Sequence, residues 1–127
     1  GKTVGVQRAT IHENFVRDNY GASVEIKSYA TQDEANMDLG AGRVDLVIAD
    51  ATVLQGGLLD TDAGKAFAFI GPSFTAEKWF GEGIGIAVRK GDADLKQMFN
   101  KAIKDLRQNG VYQKINAKYF DFDLYGE

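Results

Sequence analysis

The sequence predicts an α/β fold: three layers built on a mostly parallel sheet of about five strands, one of them inserted antiparallel. Three observations carry this reading. Strand and helix signals alternate along the chain, two strands are each followed closely by a helix capping box, and one strand is an unbroken apolar run. Such a run is the pattern of a strand buried on both faces of a parallel sheet.

Thr3 to Val6 is a short β-branched run, and Thr10-Ile11-His12-Glu13 follows it as a capping box. A helix therefore starts at about Ile11, passes Phe15 and Val16, and stops at Gly21. Val24 to Tyr29 alternates as a strand, and Thr31-Gln32-Asp33-Glu34 opens a second capped helix that ends near Gly40 to Gly42. Leu46-Val47-Ile48-Ala49 is the buried strand, and it ends in Asp50. A short helix over Ala51 to Leu54 is loosened by Gly56-Gly57, and Phe67 to Ile70 is the next strand, closed by Gly71-Pro72. The expected strand order is 2-1-3-4. Ser73 to Gly81 reads as a loop carrying Trp79-Phe80, and Ile84 to Lys90 reads as a further strand. Asp92 to Asn109 is the clearest helix, because Leu95, Met98, Phe99, Ala102, Ile103 and Leu106 form one stripe at helical spacing. Gly110 ends it, a last helix covers Val111 to Phe120, and Asp121 to Glu127 is a tail.

At 127 residues the chain is expected to form one domain, 1–127, and two full domains do not fit. Its 44% hydrophobic and 26% charged residues are ordinary for a folded protein. A net charge of -3 disfavours a nucleic-acid partner or an anionic membrane surface, and no apolar run is long enough for membrane insertion. The charge is uneven: residues 1–63 hold five bases and ten acids, while residues 64–127 hold ten and eight. The absence of cysteine removes disulfides, thiol nucleophiles and thiolate metal sites. The opening strand has no lead-in, which reads as the start of a mature or trimmed segment.

Gly1-Lys2-Thr3 imitates the end of a phosphate-binding loop, yet a strand and not a helix follows it. Gly81, Gly83 and Gly85 precede a strand, where a dinucleotide fingerprint must follow one. His12 is the only histidine, so histidine metal clusters and proton-relay pairs are excluded, and no nucleophile-elbow motif accompanies it. No catalytic set, metal or cofactor is called for, and the chain is not read as an enzyme. Two positions do carry chemistry. Thr10 and His12 sit at the carboxyl end of the first strand, where a helix N-terminus favours an anionic group. Asp50 closes the buried strand, where ligands gather in open α/β sheets, although it is equally placed to cap the helix from Ala51. A carboxylate facing a helix N-terminus matches the ammonium and carboxylate of a zwitterion.

These residues resemble a known family. Gly1-Lys2-Thr3-Val4-Gly5-Val6, the turn Ala9-Thr10-Ile11, Ser28 to Asp33, Ala41-Gly42-Arg43-Val44-Asp45, the Asp50 strand end, Phe69-Ile70-Gly71-Pro72, Gly85 to Gly91, and Leu106 to Gly110 leading to Tyr119-Phe120 together resemble the C-terminal part of periplasmic polar and basic amino-acid-binding proteins of ABC importers. Thr10 to Asn14 is most similar to arginine and opine receptors. The resemblance implies a type II periplasmic-binding-protein lobe, with 1–82 as the ligand-binding lobe proper and 83–127 as a hinge strand and C-terminal helices. It implies that Thr10 and the Ile11 backbone N–H bind the ligand α-carboxylate or a polar side chain. His12 would bond the ligand side chain, Gln7 would line the pocket, and Asp50 would take an ammonium. The ligand would be a basic, polar or opine amino acid, the partner an ABC transporter permease, and the compartment the periplasm. Ala9 departs from the family's usual Gly, and its Cβ is expected to crowd the turn.

The resemblance also implies a second lobe, with an aromatic clamp and an arginine for the α-carboxylate, that this chain lacks. Amino-acid binding by the chain alone is therefore expected to be weak. A receiver-like phospho-acceptor domain is the alternative from another class, but Gln7 and Arg8 stand where its acidic metal-binding pair belongs. An assembly or folding module without a ligand is a third reading. Finally, Ile84 to Lys90 is expected to fill a sheet slot beside Leu46 to Ala49, either folding back antiparallel or being exchanged with a second copy in a homodimer.

Overall fold

Parallel pairing of three strands organises the first part of the chain. β1 (Lys2–Gln7) lies at the centre, with β2 (Val24–Tyr29) on one side and β3 (Leu46–Ile48) on the other, in the order β2-β1-β3. The register runs from Lys2 opposite Val24 to Gln7 opposite Tyr29, and from Val4 opposite Leu46 to Val6 opposite Ile48. The computed structural model describes residues 1–125, so Gly126 and Glu127 of the expected tail lie outside the described residues. Packing divides the chain into two units, Gly1–Gly83 and the segment from Ile84 onward.

In the first unit α1 (Ile11–Tyr20) follows β1 and α2 (Gln32–Gly40) follows β2. Val4 and Val6 point from the sheet into Phe15 and Val16 of α1, with Val24, Ile26, Leu46 and Ile48 around them. Val6 is completely buried. Strand alternation turns Gly5 to the other face, where Val44, Val47 and Tyr29 close around it and the buried Ala35 belongs to α2. Both capping boxes form their helix-starting bond: the Thr10 hydroxyl accepts from Glu13 N at 3.2 Å, and Thr31 does the same for Glu34 N at 3.2 Å. A short α3 (Ala51–Leu54) runs into a wide turn at Gln55–Leu59 and a tight one at Ala63–Ala66.

The segment read as a loop, Ser73 to Gly81, contains a short helix, α4 (Glu77–Phe80). Its aromatic pair explains that: the Phe15 ring lies 5.1 Å from Phe80, 6.1 Å from Trp79 and 4.7 Å from Phe74, so α4 caps the α1 side of the core. Two expected strands are absent. Phe67 to Ile70 runs outside the sheet with Phe69 and Ile70 largely exposed, because β3 is only three residues long and offers little edge to pair with. Ile84 to Lys90 forms no ladder among the described residues and leaves Ile84 and Ile86 exposed. Strand propensity without a partner edge does not make a strand. The α/β reading with a parallel sheet holds; the fourth strand and the antiparallel insertion within this chain are corrected.

The second unit holds α5 (Ala93–Gln108) and α6 (Val111–Asn116), joined through Gly110 at φ 78°. The tail returns along it: Leu124 N donates to Asn116 Oδ1 at 3.0 Å, and the Arg107 guanidinium stacks 3.4 Å from the Tyr125 ring centre. Among the described residues no helix is long and apolar enough to cross a membrane.

Candidate functional site

The carboxyl ends of the three strands open onto one cleft of about 220 Å³ in the first unit. Gln7 ends β1, Thr10 caps α1, Ile11 and His12 are its first two residues, and Asp50 follows β3; all five line that cleft. The structure thus brings every site residue named from the sequence to one place. Gln32, Ala49 and Val53 complete the lining. Gln32 escaped the sequence reading, although its position at the start of a helix after a strand's carboxyl end carried the same signal as His12.

The turn between β1 and α1 is built to present helix amides. Thr10 Oγ1 donates to Gln7 O at 2.7 Å and accepts from Glu13 N, so its only proton is committed within the turn. Ile11 N–H and His12 N–H have no acceptor among the described residues, as the first amides of a helix must lack one within the helix itself. Ala9 sits at φ 60°, the left-handed region that favours glycine. Its Cβ does not prevent the turn from closing, because Ala9 N–H donates to Glu13 Oε2 at 2.7 Å.

Glu13 anchors that turn from beneath. Its other oxygen accepts from Ser28 Oγ at 2.6 Å and from Arg17 Nη2 at 2.8 Å, tying the helix to β2. The Ser28 hydroxyl, and next the Ala9 amide, hold the Glu13 carboxyl below its usual range. His12 is buried, with its ring 5.9 Å from Phe80 and Nε2 3.5 Å from Asp50 Oδ1. Burial pushes its pKa down from the ordinary histidine value, and the Asp50 charge opposes that shift. Asp50 stands at the N-cap position of α3, yet its side chain makes no capping bond and is mostly exposed to the cleft. One wall therefore offers an anion, and the middle offers two unpaired amides at the positive end of a helix. Among the described residues no group of three or more His, Cys, Asp or Glu is placed to hold a metal.

Comparison with known proteins gives a consistent answer. Residues 2–122 match the family model of bacterial extracellular solute-binding proteins, family 3. The chain is 53% identical over 127 residues to the L-arginine-binding protein of Pseudomonas aeruginosa, covering 99% of this chain and 49% of that one. It is 43% identical to the lysine/arginine/ornithine-binding periplasmic protein of Escherichia coli, over 100% of this chain and 49% of the relative. A solved ancestral arginine-binding protein bound to glutamine superposes with a TM-score of 0.68 at 36% identity, over 96% of this chain and 51% of that one. The chain spans about half the length of the relatives it matches. These matches overturn the receiver-domain alternative, and the chain belongs to the bacterial extracellular solute-binding proteins, family 3.

Proposed function

We propose that this chain supplies half of the ligand site of a periplasmic amino-acid receptor serving an ABC importer, with a polar or basic amino acid, arginine foremost, as its ligand. The observation that carries the reading is the convergence of Asp50 and the free amides of Ile11 and His12 on one cleft. Asp50 takes the α-ammonium, and the two amides take the α-carboxylate with help from the helix dipole. The names of the relatives, which include arginine, lysine, ornithine and histidine receptors, support a basic side chain. Thr10 contributes by shaping the turn, since its proton already goes to Gln7 O.

A cleft of about 220 Å³ is smaller than the ~300 to 1,000 Å³ of ordinary ligand pockets, and it leaves Asp50 largely open to solvent. Binding by the chain alone is therefore weak, with a Kd of roughly millimolar, equivalent to about −4 kcal/mol. The test is a titration of the amide NMR spectrum with L-arginine. Shifts centred on residues 10–12 with a millimolar midpoint, weakened by Asp50→Asn, support the proposal. A micromolar midpoint would contradict weak binding by so small and open a cleft, and no shift at any concentration would favour an assembly module without a ligand.

A further inference from the structure

Beneath the cleft, Gln32 and Asn36 form a buried amide pair on successive turns of α2. Gln32 Nε2 donates to Asn36 Oδ1 at 3.0 Å, while Gln32 Oε1 and Asn36 Nδ2 have no partner. Gln32 is 8% exposed, and what it exposes lines the cleft that holds His12 and Asp50. An acceptor shut away from water without a donor is unfavourable, and a ligand that provides the donor recovers that loss.

The strand order says which part of a ligand meets it. Gln32 follows β2 and Asp50 follows β3, on opposite sides of β1 and of the α1 amides. Strands lie about 4.8 Å apart, so the ends of β2 and β3 that lead to Gln32 and Asp50 are roughly 10 Å apart. That is the span of an extended amino acid with a long side chain. If the ammonium lies at Asp50, the far end of the side chain lies at Gln32.

Resting on the ligand placement above, we propose that Gln32 is a specificity-determining residue that selects amino acids whose side chains end in N–H donors, a guanidinium above all. The terminal torsion of glutamine is soft, so the amide turns to bring Oε1 to the cleft when a donor arrives. Acceptors at both ends, the Asp50 carboxylate and the Gln32 carbonyl, suit a ligand that is cationic at both ends. A side chain of similar length without a donor leaves Oε1 unpaired.

The test compares L-arginine with L-norleucine by amide NMR titration of the wild-type chain, Gln32→Met and Gln32→Glu, with thermal unfolding to confirm that each variant is folded. The expected result is that Gln32→Met weakens arginine about tenfold and changes norleucine less than twofold. Gln32→Glu, which only accepts, should bind arginine at least as well as the wild type, with the Asn36 amide turned to donate to it. If arginine shifts residues 10–12 but the arginine-to-norleucine ratio is the same in folded Gln32→Met, the inference about Gln32 is overturned and the ligand site stands. A loss of arginine in Gln32→Glu would mean that the amide donates, and overturns it as well. Absence of any shift in the wild type with either amino acid removes both the ligand site and this inference.

Discussion

The imidazole Nε2 of His12 lies 3.5 Å from Asp50 Oδ1, joining the first turn of α1 to the end of β3 across the mouth of the cleft. The two side chains differ in their surroundings. His12 is buried and Asp50 faces solvent, so the ring loses hydration that the carboxylate keeps. Burial dominates, and the ring's pKa falls below its ordinary value.

A pH dependence of stability follows. Because the folded-state pKa is depressed, the unfolded chain binds the proton more readily between the folded value and the unfolded value of about 6.5. Stability then rises with pH across that window. The His12 contribution is complete above the unfolded value and is lost as pH falls through the folded one. Stability of the wild type to urea should therefore weaken as pH falls below about 6.5, and His12→Gln should flatten that slope. Equal slopes would show that burial of the ring has no energetic consequence. As the sole histidine, His12 also reports directly by NMR, and Asp50→Asn should lower its titration midpoint further.

Ala9 offers a gain in stability. At φ 60° an alanine is strained by about 1 to 2 kcal/mol relative to its preferred regions, while glycine is not. Part of that gain is offset by the greater freedom of glycine in the unfolded chain. Ala9→Gly is expected to raise the unfolding free energy by about 0.5 to 1 kcal/mol, read from the urea midpoint at constant m. A lower midpoint would mean that the turn does not hold position 9 in the left-handed region.

The residues that line the cleft were easier to read in the sequence than the sheet. Thr10, His12 and Asp50 declare themselves through local rules, a capping box and a strand end, and such rules act over a few residues. Phe67 to Ile70 and Ile84 to Lys90 carry strand-like residues, but a strand is completed only by a partner edge. β3, at three residues, provides little of one. Gln32 was hidden for another reason: its buried unpaired oxygen exists only through its pairing with Asn36, which composition does not reveal.

Gly64 marks where the chain is least tolerant of a side chain. A Cβ there would overlap the carbonyl oxygen of Leu58 and press on Leu59 Cα, and both are backbone atoms that no rotamer change can clear. The tight turn Ala63–Ala66 would have to move off the buried Leu58. Gly64→Ala should destabilise the chain by about 2 to 3 kcal/mol in urea unfolding. A loss below about 0.5 kcal/mol would show that this turn is loosely held.

Glu13 and Ala9 should behave as one unit. The carboxylate accepts from Ala9 N at 2.7 Å, Ser28 Oγ at 2.6 Å and Arg17 Nη2 at 2.8 Å, so one buried group fixes the turn, the strand and the helix together. Glu13→Gln turns one of its oxygens into an NH2 group, which meets donors where it needs acceptors. A loss of about 2 kcal/mol is expected, the range for hydrogen bonds to a charged group. Since the Glu13 carboxyl lies below its usual range, the wild type loses this contribution only as pH falls below about 4.3, and the variant should show less of that acid sensitivity. The informative measurement is the double variant. With Glu13 in place, its bond to the Ala9 amide keeps position 9 at positive φ despite the strain. Without that bond the turn relaxes, and glycine at position 9 has no strain left to relieve. Ala9→Gly should therefore stabilise the wild type and do little in the Glu13→Gln background, leaving a coupling of about 0.5 to 1 kcal/mol. Additivity within about 0.3 kcal/mol would show that the carboxylate does not hold the strained turn, and that the free amides of Ile11 and His12 are presented by the helix alone.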